Sequence, residues 1–377
     1  MDAVLAPFTR QSLPTPPPDT APLPFTGSEA RWDDATLTEH TVQLAGLAVF
    51  GNLRTVAPDL LEGMRPTLSL PDRVTAQDVA DLTRITDLME RWDFLYGGAL
   101  SLTAVLGQLE HVRMIYQTSS CTPQVRTLLQ SALARTAKVA AWMAVDAGDL
   151  AVARRCWLLG LSMATDADDA LVKISLLTDM ARAAIHTGRA QDALSLMALA
   201  GASAGAATQT VRTAMAAVTA RAHGALGQRD DCRSQIDTAY AHFSRRDPEE
   251  DPAWMAFYDA AQLAGDAGHA LFPLALHGHD HDQTIALLTQ AIRTHTHDAA
   301  RSVALSRGKV VRLHLFTGNL EAASSETAPL LEAAITIRSA RIRQDLSDLS
   351  TATEQFGADP TAAQLRQRIS TVVRSAL

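Results

Sequence analysis

Five glycines recur along the chain at nearly constant intervals: Gly148, Gly188, Gly227, Gly278 and Gly318, spaced 40, 39, 51 and 40 residues apart. Each follows a run of helix-favouring residues, and another such run begins almost at once. A small residue stands five positions after four of them (Ala153, Ala193, Cys232 and Ala323), whereas Gln283 takes that place after Gly278. In the first three units small residues also stand seven before and twelve after the glycine, as Ala141 and Gly160, Ala181 and Ala200, and Ala220 and Ala239. Glycine accepts the left-handed conformation that ends a helix, and small side chains let two antiparallel helices approach closely. The repeat therefore predicts a row of helix hairpins, each leaning on the next.

The expected fold is all-α: a right-handed α-solenoid of about five TPR-like helix-turn-helix repeats with N- and C-terminal capping helices. Units of this length carry longer helices than the roughly 34-residue tetratricopeptide repeat. With 47% hydrophobic but only 5% aromatic residues, the composition suits close-packed helices better than sheets. The 51-residue interval predicts a long exposed connection over 245–252. Ahead of the repeats, Thr75 and Asp78 form a capping-box pattern before a helix with Val79, Leu82, Ile85 and Leu88 at helical spacing. Gly97 and Gly98 break it, and a second helix runs through Leu102, Leu106 and Val112. Two further helices, divided near Gly357 and Pro360, are expected to cap the end of the stack. Seven of the 16 prolines fall before residue 25, so residues 1–33 read as a disordered leader. Residues 34–70 read as a short helical segment and 71–377 as the solenoid.

The formal net charge of -8 argues against a broad phosphate-neutralising surface, so nucleic acid is not expected as a direct partner. No stretch is apolar for long enough to span a bilayer, the longest running from Val42 to Leu53. The segment Met1 to Arg10 does not read as a secretory signal. Three cysteines without close pairing, Cys121, Cys156 and Cys232, fit reduced thiols. A cytoplasmic protein is expected, recognising a peptide or protein partner or a small effector, with a homodimer as a further option and no cofactor.

In hairpin geometry the residue six before each turn glycine faces the concave groove. That column is Trp142, Arg182, Arg221, Phe272 and Arg312, with Lys138 and Thr178 four positions further back on the same helix faces. Trp254 and Asp259 complete the candidate set, and Met143 and Trp157 belong to the core. Arginine with an aromatic wall suits an acidic peptide, a terminal carboxylate or another anion. The alternative is that these arginines pair with acids on neighbouring helices, such as Asp179 or Asp259.

The run His277-Gly278-His279-Asp280-His281-Asp282 carries zinc- or nickel-ligating residue types. His277, His279 and His281 thus define an alternative, a metal-dependent hydrolase. The simpler account is a polar turn in which Asp280 or Asp282 caps the next helix. No nucleophile elbow, phosphate-binding glycine loop or dinucleotide fingerprint occurs, so no catalytic residue is assigned.

The segments Ala140–Asp149 with Ala153-Arg154-Arg155, then Pro252–Asp259, then Arg338–Ile342, resemble the C-terminal region of actinobacterial helix-turn-helix regulators. In that family a DNA-binding domain of the lambda-repressor type precedes a TPR-like sensor. The similarity spans roughly residues 75 to 357 and implies a sensor tied to transcriptional or developmental regulation. Residues 31–70, with three basic residues (Arg31, Arg54, Arg65) against five acids, lack a recognisable groove-entering helix pair. Direct DNA binding through a reduced N-terminal element therefore stands as the other alternative.

Overall fold

The structure, a computed structural model, describes residues 70–375. The leader over 1–33 and the helical segment expected over 34–70 lie outside them, apart from Leu70. Fourteen α-helices make up the described residues, and no strand occurs among them. They are α1 (Ala76–Tyr96), α2 (Gly98–Thr118), α3 (Pro123–Ala147), α4 (Leu150–Asp166), α5 (Ala170–His186), α6 (Ala190–Gly201) and α7 (Gln209–Ala225). They continue as α8 (Arg229–Phe243), α9 (Ala260–Ala275), α10 (His281–Thr294), α11 (Ala300–Phe316), α12 (Leu320–Thr336), α13 (Ala340–Ala352) and α14 (Pro360–Ser375).

Local chemistry sets the ends of these helices. At the start of α1 the Asp78 amide donates to Thr75 Oγ1 at 3.3 Å while the Thr75 amide donates to Asp78 Oδ2 at 2.8 Å, a complete capping box. Thr122, Asp149, Asp169, Thr208, Asp259, Asn319 and Ser339 each accept a backbone N–H at the start of their helix. All five repeat glycines have positive φ, between 73° and 89°, as the spacing predicts.

The small residues do as expected in four hairpins: Ala153, Ala193, Cys232 and Ala323 are buried to the last per cent. The fourth hairpin differs by one residue. Elsewhere the turn is glycine plus one residue, but after Gly278 it is His279-Asp280, with Asp280 itself left-handed at φ 56°. This insertion moves the buried positions to Thr284 and Ala291, six and thirteen after the glycine, and leaves Gln283 in solvent. Nor does Asp280 cap α10 with its side chain. Its carboxylate instead accepts from Arg229 Nε at 2.9 Å and Arg233 Nη1 at 2.9 Å on α8, and Asp282 is exposed.

Two expectations need correction. Helix α1 buries Val79, Leu82, Thr86 and Asp93, whereas Ile85 and Leu88 face solvent, because the face toward α3 is partly polar. Its Thr86 hydroxyl meets that of Thr136 at 2.9 Å. The long connection after α8 is exposed over 247–250 but anchored at Asp251, which accepts from Thr208 Oγ1 at 2.5 Å and also from Thr210. A 3-10 turn over Ala253–Met255 and the buried Tyr258 then lead into α9.

The first helix of each hairpin packs on the first helix of the next, in the order α1, α3, α5, α7, α9, α11, α13. The row then returns on itself: α11 also packs against α1, and α13 against α3. At this junction the Arg338 amide donates to the Tyr96 carbonyl at 2.7 Å, and the Ala99 amide donates to the Arg338 carbonyl at 3.3 Å. The final helices thus join the first ones rather than merely covering the end of an open stack.

Candidate functional site

The odd-numbered helices surround a cavity of about 150 Å³. Its walls carry Lys138, Arg182, Arg221, Arg301 and Arg341 against Glu90, Asp93, Asp179 and Asp266. Burying so many charges is costly unless each finds partners, and the pairing is uneven.

Asp266, in the Gly/Ala-rich middle of α9, is 1% exposed. Arg182 grips it with two parallel bonds of 2.7 Å, and Tyr258 donates its hydroxyl at 3.0 Å. Arg221 reaches the same carboxylate through a single bond, Nη1 to Oδ1 at 3.0 Å. Burial alone would raise the Asp266 carboxyl, but Arg182, Arg221 and Tyr258 hold it well below the usual carboxylate range. One negative charge faces two guanidinium groups. Burial, with the repulsion of Arg182 and Arg341, accordingly lowers Arg221, whereas Arg182 is raised by its close pairing despite burial.

Where the first described helices meet the last lies a second network. Arg301, 3% exposed on α11, donates to both oxygens of Asp93 on α1 at 2.5 and 2.6 Å, and to Asp146 on α3 at 3.3 Å. Asp146 also accepts from the Gly98 amide (3.0 Å), the Ser339 hydroxyl (2.7 Å) and Arg341 Nε (2.9 Å). Burial opposes ionisation of both acids. For Asp146 this is outweighed by Arg301, Arg341 and its hydrogen bonds; for Asp93 burial prevails and its carboxyl is raised. A third group joins Lys138 to Glu90 at 3.2 Å and Asp179 at 3.5 Å.

His186 and His269 also line the cavity, and burial together with the nearby cations Arg221 and Lys309, joined by Arg341 at His186, holds both below the usual imidazole value. His269 Nε2 lies 3.3 Å from the Ser306 hydroxyl. Arg341 uses Nε on Asp146 and stacks its guanidinium 5.0 Å from the Trp142 ring centroid. The cavity wall therefore carries two arginines, Arg221 and Arg341, that each make a single bond to a shared carboxylate, beside imidazoles held below their usual value by burial and by neighbouring cations.

Of the residues anticipated from sequence, Lys138, Trp142, Arg182 and Arg221 line this cavity. Thr178 is buried, and its hydroxyl donates back to the Ile174 carbonyl at 2.8 Å. Trp254 and Asp259 line an adjoining chamber of about 460 Å³, where Asp259 caps α9 by accepting the Gln262 amide at 2.9 Å. Phe272 and Arg312 sit elsewhere, in a hollow of about 300 Å³ with Lys309 and Asp345. The column is thus not one basic stripe. The acid that pairs with Arg182 and Arg221 is Asp266, not Asp179 or Asp259. His277 and His279 are exposed, His281 Nε2 lies 3.5 Å from the Leu313 carbonyl, and among the described residues no three metal-ligating side chains converge. The alternative DNA-binding element belongs to residues outside those described.

Asp93, Asp146, Asp266, Arg301, Arg341 and His186 had no place in the sequence-derived set, and His269 entered the sequence reading only as a neighbour of the His-rich run. A usable signal existed for the acids: Asp146 in Met143-Ala144-Val145-Asp146-Ala147 and Asp266 in Ala264-Gly265-Asp266-Ala267-Gly268 are lone charges in otherwise apolar helix. No family model matches the chain, and no curated protein matches it significantly.

Proposed function

We propose that this chain is a non-enzymatic recognition module, a right-handed solenoid of TPR-like hairpins whose inner cavity binds a small anionic effector. The repeated glycine turns and the packing of successive first helices support the solenoid reading. The observation that carries the functional reading is the unequal sharing of Asp266. Arg221 is a half-buried cation with one hydrogen bond, and it lines the cavity together with Arg341, His186 and His269. A carboxylate or phosphate there would complete the counter-charge through charge-assisted bonds. The cavity's small volume favours a compact effector, or the terminal carboxylate of a partner, over a long peptide. Consistent with the resemblance to sensor regions of transcriptional regulators, we place the protein in the cytoplasm as a regulator that acts through a partner.

Binding would pull the histidines toward protonation, because an anion offsets the positive potential that keeps them neutral. Affinity for the anion should then rise as pH falls from about 7 toward 5. The test is titration of the protein with inorganic phosphate, sulfate and short carboxylates, followed by calorimetry and thermal denaturation. We expect saturable heat and a concentration-dependent rise in Tm, both lost in Arg221→Gln. Absence of binding by all these anions to the wild-type protein would sink the reading.

A further inference from the structure

The inner cavity and the adjoining chamber share Glu90, Phe94, Phe257, Gln262, His295 and Ser302, so they lie side by side along one wall. The compartments differ in chemistry. The inner one is small and holds Arg221 with its incomplete counter-charge. The outer one, about three times larger at about 460 Å³ against about 150 Å³, is lined by four carboxylates and a single guanidinium, Arg91.

Two of those carboxylates, Asp87 and Glu90, are occupied by Arg135 at 2.7 Å and Lys138 at 3.2 Å. The other two are less committed. Asp259 gives one oxygen to the Gln262 amide, and Asp298 is exposed with no hydrogen bond among the described residues. Aromatic rings stand beside them: Phe94 and Phe257 lie 5.5 Å apart at an interplanar angle of 36°, and Trp254 closes the wall. The Trp254 ring already attracts cations, with Lys138 Nζ at 5.8 Å and Arg135 at 6.0 Å from its centroid. Aromatic faces next to uncompensated carboxylates select organic cations, alkyl- or quaternary ammonium above all.

We propose that the effector is a bipolar small molecule, its anionic group seated against Arg221 in the inner compartment and its organic ammonium group held by Phe94, Phe257 and Asp298 in the outer one. This rests on the anion reading of the inner cavity and adds the second pole. The volumes match the assignment, since the inner space admits little more than a carboxylate or phosphate while the outer space accepts a substituted ammonium group. Each pole is repelled by the other's compartment, which fixes the orientation.

The test compares four probes by calorimetry: inorganic phosphate, choline, phosphocholine and, as its carboxylate counterpart, glycine betaine. Phosphocholine or betaine is expected to bind at least tenfold more tightly than either phosphate or choline alone. Phe257→Ala, a change at a half-exposed side chain, should erase that advantage. Asp298→Asn should weaken choline and the bipolar probes but not phosphate. If phosphate binds and no bipolar probe improves on it, the second pole is wrong and the anion reading survives. If choline binds while phosphate does not, the anion reading itself fails.

Discussion

Asp266 shows how one carboxylate can serve two cations unequally. Arg182 has the bidentate geometry that offsets desolvation, whereas Arg221 keeps a single longer bond. Removing one partner of a well-made buried pair costs several kcal/mol, but removing a poorly compensated charge can cost nothing. Arg182→Met should therefore destabilise the unliganded protein by about 3 kcal/mol. Arg221→Met should stay within about 1 kcal/mol of wild type. Chemical denaturation of both variants at one pH distinguishes them, and equal losses would mean that Asp266 is shared evenly. The same logic separates the two acids at Arg301. Asp146, held ionised by four donors, should be the costly one, with Asp146→Asn losing about 3–5 kcal/mol. Asp93→Asn should lose less, because Asp93 serves one donor residue, Arg301, where Asp146 serves four.

At the scale of the helices, the left-handed turn residues were legible because only glycine adopts that backbone without strain. The buried small residues followed from the same spacing. What the spacing hid was a register shift: one added residue at His279-Asp280 looks in sequence like a degenerate repeat, although Thr284 and Ala291 preserve its packing. Asp280 tolerates positive φ because a short polar side chain is accepted there, which a β-branched one is not. Asp280→Val should cost about 1–2 kcal/mol more than Asp280→Asn, measured by urea denaturation. Gly224 is constrained differently: a Cβ there would collide with the Ala270 carbonyl of α9. Gly224→Ala should destabilise by about 1–3 kcal/mol through forced separation of α7 and α9. The charged cavity was far less legible, since Arg301 meets Asp93 across 208 residues and Arg182 meets Asp266 across 84. Helical periodicity finds neighbours three or four residues apart and carries no information about such pairs.

For the described residues as a whole, the imidazoles at the cavity wall set the response to acid between pH 7 and pH 5. His186, His269 and His295 have folded-state values below the ordinary imidazole value, so the unfolded chain binds protons first. Their contribution is complete above about pH 6.5 and is lost as pH falls below it. Tm should therefore drop between pH 7 and pH 5, less steeply in His269→Gln, and saturating phosphate should reduce the slope. A slope unchanged by His269→Gln would assign the acid sensitivity elsewhere. The junction of first and last helices has a different consequence, set by the order of synthesis. Asp93 and Asp146 leave the ribosome long before Arg301 and Arg341, which follow them by 208 and 195 residues. At about 5–20 residues per second, the nascent hairpins carry two unneutralised acids for about 10–40 s. The growing chain therefore stays open and hydrated at that face until its last hairpins arrive, and only then does the cavity acquire its walls.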